Sequence, residues 1–420
     1  MIIKNFQNLS KKSEIRKDIL KIINEGLLSI SPSFIFKNKI SLSDNKLKIA
    51  GNFFDLDKYK KIYVIGFGKA SSAMAFQIEK ILGKRIKNGL VIDISQIKLK
   101  RIKVRKGTHP LISRGNIQSS ARIINIVKQA SDNDLVICLI SGGGSALFEK
   151  PYNSFTNTLK INKRLLLSGA SIQEINIVRK HISQVKGGGL AGLSKAKIIS
   201  LIFSDVIGDD LDIIASGPTV LDKSTINDAQ KIIKKYKLPK TKLYETPKNK
   251  KIFTKVDNII LLNNQIALEA MKKTSEKLGY KTKIITSRLS GESKKVGEKI
   301  LQLSKKMKKK EIYLFGGETT VKVSGNGKGG RNTELALSFL KKLPRDITFA
   351  SVASDGVDNT DSAGTIVDEK TKDKAKKIKL NVNEYLKNND SYNFFKKTGD
   401  LIFTGPTDSN VADFILMLKQ

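Results

Sequence analysis

Short apolar runs that stop at glycines or aspartates recur along the whole chain. Ile62–Ile65 runs into GFGKAS, Leu135–Ile140 into SGGGSAL, and Ile198–Phe203 into SDVIGDDLDIIASGPT. Ile312–Phe315 runs into GGETTV, and Thr348–Ala353 into SDGVDNTDSAG. Runs this continuous leave no face for water, so they read as strands buried on both sides. Segments with helical spacing lie between them, as over 12–30, Asn116–Ala130 and Asp222–Tyr236. The alternation predicts an α/β chain with a doubly wound, mainly parallel sheet. In such sheets ligands bind beyond the carboxyl ends of the strands. The glycine-rich and acidic loops are therefore where chemistry is expected.

At 420 residues the chain suggests two domains. Residues 237–256 are rich in Lys, Pro and Thr and lack periodicity, so they read as the connection. The expected division is 1–240 and 241–420. No apolar run approaches the ~18–20 residues of a membrane span. The N-terminal stretch mixes charged and apolar residues at helical spacing and lacks the apolar core of a signal peptide. Cys138 is the only cysteine, so no intrachain disulfide forms and a cytoplasmic location is expected. The formal net charge of +38 invites a nucleic-acid reading. Against it, the lysines are spread along the chain, Trp is absent, and no basic run is interleaved with stacking residues. A lysine-heavy composition explains the charge without nucleic acid.

In the first loop, Gly66, Gly68 and Lys69 stand between a strand and a helix. Backbone amides and a helix N-terminus meet there, which attracts anions. A dinucleotide is one reading, with Asp93 at the next strand end on the ribose. However, Ser71 replaces the third glycine, and no GxxxxGK[ST] pattern occurs. Cofactor, other phosphate and plain turn all remain open on this loop alone. Ser141–Ser145 resembles a second anion cradle: Gly142, Gly143 and Gly144 let amides approach a ligand, and Ser141 and Ser145 add hydroxyls. A tight strand-to-helix turn is the competing reading. His109 and His181 are the only histidines, too few for a histidine metal cluster; His181 reads as structural and His109 as better placed for ligand. Asp205, Asp209 and Asp210, and Asp355, Asp358 and Asp361, suit a hard cation, although most such aspartates cap turns. Asp355 is favoured because it directly follows a strand. GGRNTE places Arg331 at a helix start, where a guanidinium can clamp an anion, and Glu318 lies beside another glycine turn.

Together GFGKAS, GTHP, LISGGGSAL, INIVRKHIS, VKGGGLA, SDVIGDDLDIIASGPT, GGETTV, GKGGRNTELAL, ASDGVDNTDSAG and TGPTDSNVAD resemble the type II glycerate 2-kinases. The match runs from about Tyr63 to Asp413. The resemblance implies two different three-layer α/β/α domains, the first Rossmann-like, the second (of the MOFRL type) with a mixed sheet, and an active-site cleft between them. It implies ATP- and Mg²⁺-dependent phosphorylation of D-glycerate at its 2-hydroxyl. Lys69 and Arg331 match the family's catalytic cations. Gly66, Gly68, Ser141–Ser145, Glu318 and Asn332 would then bind nucleotide or substrate, and Arg179 and Lys186 the substrate carboxylate. Asp205 and Asp355 would hold Mg²⁺. Members have also been called hydroxypyruvate reductases, so an NAD(P)H-dependent reductase is the alternative. A basic nucleic-acid-binding protein stands third. The expected partners are small molecules, with a homodimer allowed and neither nucleic acid nor membrane involved.

Overall fold

In the computed structural model, which describes all 420 residues, the expected strands form two separate six-stranded sheets. The chain divides into two units, Pro32–Leu262 and Met1–Ser31 with Asn263–Gln420.

The first unit opens with a small antiparallel sheet, β1 (Ile40–Ser43), β2 (Lys46–Ile49) and β3 (Asn52–Asp55). Asp44 and Asn45 turn it with left-handed φ of 47° and 61°, conformations these side chains tolerate. Its main sheet contains β4 (Ile62–Phe67), β5 (Ile86–Asp93), β6 (Ile102–Lys106), β7 (Leu135–Ile140), β8 (Lys197–Phe203) and β9 (Val256–Leu262). The order is β6-β5-β4-β7-β8-β9 and every pairing is parallel. The winding reverses between β4 and β7, which makes the gap beyond their carboxyl ends the topological switch point. Alternating residues of β4 serve two faces. Tyr63, Ile65 and Phe67 share a core with Ile123 and Val127 of the helix Arg114–Gln129. The helix Ser71–Leu82 buries Met74, Ala75 and Ile78 in turn.

The second unit holds β10 (Lys281–Glu292), β11 (Glu311–Thr320), β12 (Ile347–Ala353), β13 (Gly364–Val367), β14 (Leu401–Ile402) and β15 (Asp413–Lys419). Their order is β10-β11-β15-β12-β13-β14. Only β10 and β11 pair in parallel; the rest are antiparallel, so the sheet is mixed. Tyr313, Phe315, Phe349, Ile415 and Met417 form one face of its core.

Both sheets match the expected fold class, but the expected division at 240 shifts in two ways. First, the apolar strand near Ile259 pairs with β8 as the edge of the parallel sheet, so that unit extends to Leu262. Residues 237–256 thus connect elements within one unit. Second, the N-terminal helices belong with the C-terminal segment. Arg16, in the helix Glu14–Ser29, is fully buried there. Its Nε and Nη2 each lie 2.6 Å from an oxygen of Asp368, and its Nη1 lies 2.7 Å from Asp400. Lys12 adds a 2.7 Å contact to Asp400. A pattern of apolar spacing identifies the helix but carries no information about which distant aspartates will receive its arginine. Removing one member of a buried, charge-assisted pair strands the others. Arg16→Ala is therefore expected to cost about 3–5 kcal/mol of stability. Urea denaturation measures it; a loss below about 1 kcal/mol would show that the pair does not anchor the helix.

Candidate active site

The loop after β4 docks onto the loop after β7. Gly68 has φ +127°, and a β-carbon there would run into Ser141. The Ser141 hydroxyl accepts from the amide of Ala70 at 3.0 Å, and the Lys69 amide donates to the Gly142 carbonyl at 2.9 Å. The Ser71 amide donates to the Gly68 carbonyl at 3.1 Å. Asp93 closes the remaining end: its carboxylate accepts from the Ser72 amide at 2.8 Å and from the Ser95 amide at 3.1 Å. Asp93 is fully buried. A carboxylate at a helix N-terminus satisfies orphan amides and complements the helix dipole. This changes the reading of the first loop. The amides of Gly68, Lys69, Ala70, Ser71 and Ser72 are bonded within the protein, and Asp93 caps the helix that follows. Gly66 is also corrected: it lies inside β4, where a β-carbon would press on Leu139 and Val91, so its smallness serves strand packing.

Lys69 is what this loop presents outward. Its side chain passes along Gly143, whose φ is +79° and whose β-carbon would meet Lys69 Cγ at 3.1 Å and His109 Cδ2 at 3.0 Å. Lys69 makes no ion pair within this unit. The amides of Gly142, Gly143 and Ser145 likewise make no hydrogen bond within it. Open amides therefore lie in the second loop, with the Lys69 side chain running along it. Asp205 lies directly over Gly142, close enough that an added β-carbon would strike its carboxylate. Gly144 packs against Phe67 and Ala215.

A polar network continues from Ser145. Its hydroxyl is 2.7 Å from Ser216 Oγ and 3.4 Å from Arg179 Nη1. Ser216 donates to Asn176 at 2.7 Å, and Arg179 Nε donates to Asn162 at 2.7 Å. The buried Asn176 Nδ2 has no partner. Lys186 departs from its expected place on the substrate: it is fully buried and lies 2.6 Å from Glu149. It neutralises a buried carboxylate behind Arg179. Asn176 and Ser216 lie inside two of the quoted motifs and Glu149 outside them all; none stands out in the sequence, because a linear pattern does not say which polar side chains will meet. Partial burial, then Lys69 and Arg179, push His109 down to about 4, so it is neutral at pH 7. His181 bonds the Ile177 carbonyl and Glu245, as its structural reading expects. Cys138 is buried in β7.

The second unit presents Arg331 at the first turn of the helix Arg331–Leu340. Nε and Nη2 grip Asp413 at 2.6 and 2.8 Å, and Nη1 lies 3.0 Å from Glu318. Burial raises Asp413 above the usual carboxylate range even with Arg331 beside it. Asp358 accepts from the amides of Asn332 and Thr333, both at 2.9 Å, and caps this helix as Asp93 caps the other. Asn332 is corrected: it is 1% exposed, and its side chain is spent on Asp358 and Ser351. Asp355 follows β12 as expected and accepts from the Val357 amide at 3.1 Å. Asp210 and Asp212 are structural, the first bonding the Asp212 amide and the second pairing with the buried Lys180. No group of three or more His, Cys, Asp or Glu is placed to hold a metal.

Cations at the switch point of a parallel sheet, with a separately held arginine on a mixed sheet, define a class of α/β protein built to handle anionic small molecules. Residues 18–246 match the family described as "Domain of unknown function (DUF4147)", and residues 311–413 match the MOFRL family. The chain is 39% identical to a glycerate 2-kinase of Pyrococcus horikoshii, covering 96% of this chain and 97% of that protein. The crystal structure of a glycerate kinase from Thermotoga maritima superposes with a TM-score of 0.88 at 36% identity, over 97% of this chain and all of that one. A relative from Agrobacterium vitis, named a putative hydroxypyruvate reductase, is 34% identical over 91% of this chain and 93% of its own length. The chain belongs to the glycerate 2-kinase family, with its DUF4147 and MOFRL parts both present.

Two outcomes follow from this geometry. Asp93→Ala should lower stability by about 1–2 kcal/mol, the worth of a helix cap, read by urea unfolding; an unchanged midpoint would remove Asp93 from that role. His109 has an ordinary value of 6.5 and a folded one near 4, so the unfolded chain binds more protons between them. Stability should therefore fall as pH drops through that window, and His109→Gln should lessen the fall. Equal losses in parent and variant between pH 7 and pH 5 would contradict this.

Proposed function

We propose that this protein transfers the γ-phosphoryl group of ATP to the 2-hydroxyl of D-glycerate, giving 2-phospho-D-glycerate. The observation that carries the proposal is Lys69, an ammonium without an ion-pair partner in its unit, lying along a glycine loop whose amides are open. Phosphoryl transfer needs alignment and positive charge around the transferring group more than covalent help. Lys69 supplies that charge beside Ser141–Ser145, and Arg331 is the second catalytic cation. The amides of Gly142, Gly143 and Ser145 orient phosphate oxygens. Arg179, with Ser145 and the unpartnered Nδ2 of Asn176, binds the glycerate carboxylate and hydroxyls. His109, kept neutral, adds no charge that would repel Lys69.

The residues also fit Mg²⁺. This ion takes one or two carboxylates together with the phosphates it accompanies and does not need a preformed cage. Asp205, over Gly142, is the carboxylate beside the phosphate loop, and Asp355 is the candidate in the other unit. Held there, Mg²⁺ would supply positive charge that offsets the charge of the phosphates.

The name of the Agrobacterium relative keeps a reductase in view. A nicotinamide dinucleotide would call on the helix N-terminus after β4 and on Asp93, and both are already engaged within the protein. Purified protein should therefore form ADP and 2-phosphoglycerate from ATP, Mg²⁺ and D-glycerate. Oxidation of NADPH or NADH with hydroxypyruvate, without ADP formation, would overturn the kinase reading. Lys69→Ala and Arg331→Ala should each lower kcat by at least about a hundredfold, the scale of one preorganised charge at a transition state. Near-parental turnover in a folded variant would take that residue out of the reaction.

A further inference from the structure

Arg331 is held by two acids in unequal surroundings. Asp413 is the first residue of β15. Because β15 runs antiparallel to β11 and β12, that first residue stands opposite Gly317 and Ala353, where those strands end or approach their ends. Its side chain is 2% exposed, and both its oxygens are taken by the Nε–Nη2 edge of Arg331. The opposite edge of the guanidinium, Nη1, meets Glu318, whose side chain is 42% exposed.

We propose that Asp413 is the positioning residue for Arg331 in phosphoryl transfer, and that Glu318 is an exchangeable counter-ion that yields Nη1 to the incoming phosphate. The proposal rests on Arg331 acting in the reaction. A guanidinium is flat and rigid, so gripping one edge fixes the direction of the N–H groups on the other. A charge aimed beforehand costs no reorganisation when the transferring group arrives. Both free edges of the guanidinium are occupied by carboxylates, so a phosphate that takes Nη1 displaces one of them. Asp413 cannot leave without stranding a buried charge, whereas Glu318 can turn into water.

The test compares turnover of the full-length Arg331→Ala, Asp413→Asn, Glu318→Gln and Arg331→Ala/Asp413→Asn variants, with guanidinium chloride added to those lacking the arginine. Asp413→Asn should lower kcat by roughly tenfold or more and leave KM for glycerate near the parental value, because the loss lies in aim. Glu318→Gln should lower KM for ATP severalfold. Guanidinium should restore activity to Arg331→Ala, where Asp413 can still seat it, and fail in the double variant. A purely structural Asp413 would not make rescue depend on its charge. If Asp413→Asn does not fold, the rescue comparison decides alone. Equal rescue in both backgrounds, absence of rescue in either, or parental kcat in folded Asp413→Asn would overturn the proposal. If Arg331→Ala is inactive in that last case, the kinase reading stands. Near-parental activity of Arg331→Ala would instead reject the role of Arg331 and this proposal with it.

Discussion

Each unit closes a helix that follows a glycine loop with a buried aspartate, Asp93 from the end of β5 in one and Asp358 from the loop after β12 in the other. Asp93 takes the amide of Ser72, and Asp358 takes those of Asn332 and Thr333. The free amides of a helix start are costly to bury without a partner, and a carboxylate there also meets the positive end of the helix dipole. These two caps take amides that would otherwise face a ligand at each helix start. The groups left to meet an anion are the side chains and loop amides beside them. Lys69 and the Gly142–Ser145 loop stand there in one unit, and Arg331 in the other.

The two cations are prepared differently. Lys69 has no carboxylate partner in its unit and lies along a glycine, with a half-buried Arg179 and a neutral His109 nearby. Its charge is exposed to whatever enters. Arg331 is doubly countered, by a buried aspartate and an exposed glutamate. On the mechanism proposed above, one cation is available at once, and the other is aimed first and freed by exchange. Behind Arg179, the Lys186–Glu149 pair shows the same economy: a buried carboxylate is matched by a buried ammonium at 2.6 Å, so the arginine in front keeps its positive charge to offer.

Much of this was legible in the sequence. The strands ending at Phe67, Ile140, Phe203 and Ala353 appear within a residue or two of their expected ends, because an apolar run that stops at glycine or aspartate has little freedom about where it leaves a sheet. The capping box at Ser171 and Glu174 is present as read. The residues that were misread share one cause. Gly66, Asn332 and Lys186 stand in recognisable motifs, yet each is consumed by protein neighbours that a linear pattern does not name. Asp413 is hidden from a rule that places ligands beyond the carboxyl ends of strands, because it opens β15, which runs the other way.

The local order of strand, glycine loop and helix, and the positions of Lys69 and Arg331 at two such loops, were determined by the sequence alone. Periodicity and turn chemistry act over a few residues, so they can be read from a few residues. Only the tertiary structure decided that Met1–Ser31 joins the C-terminal segment through Arg16, that β9 completes the parallel sheet, and that Asp93 and Asp413 are a cap and a clamp. Those outcomes depend on which buried charge finds which partner across long stretches of chain. A buried charge must be paired, but nothing in its own neighbourhood of sequence says with what.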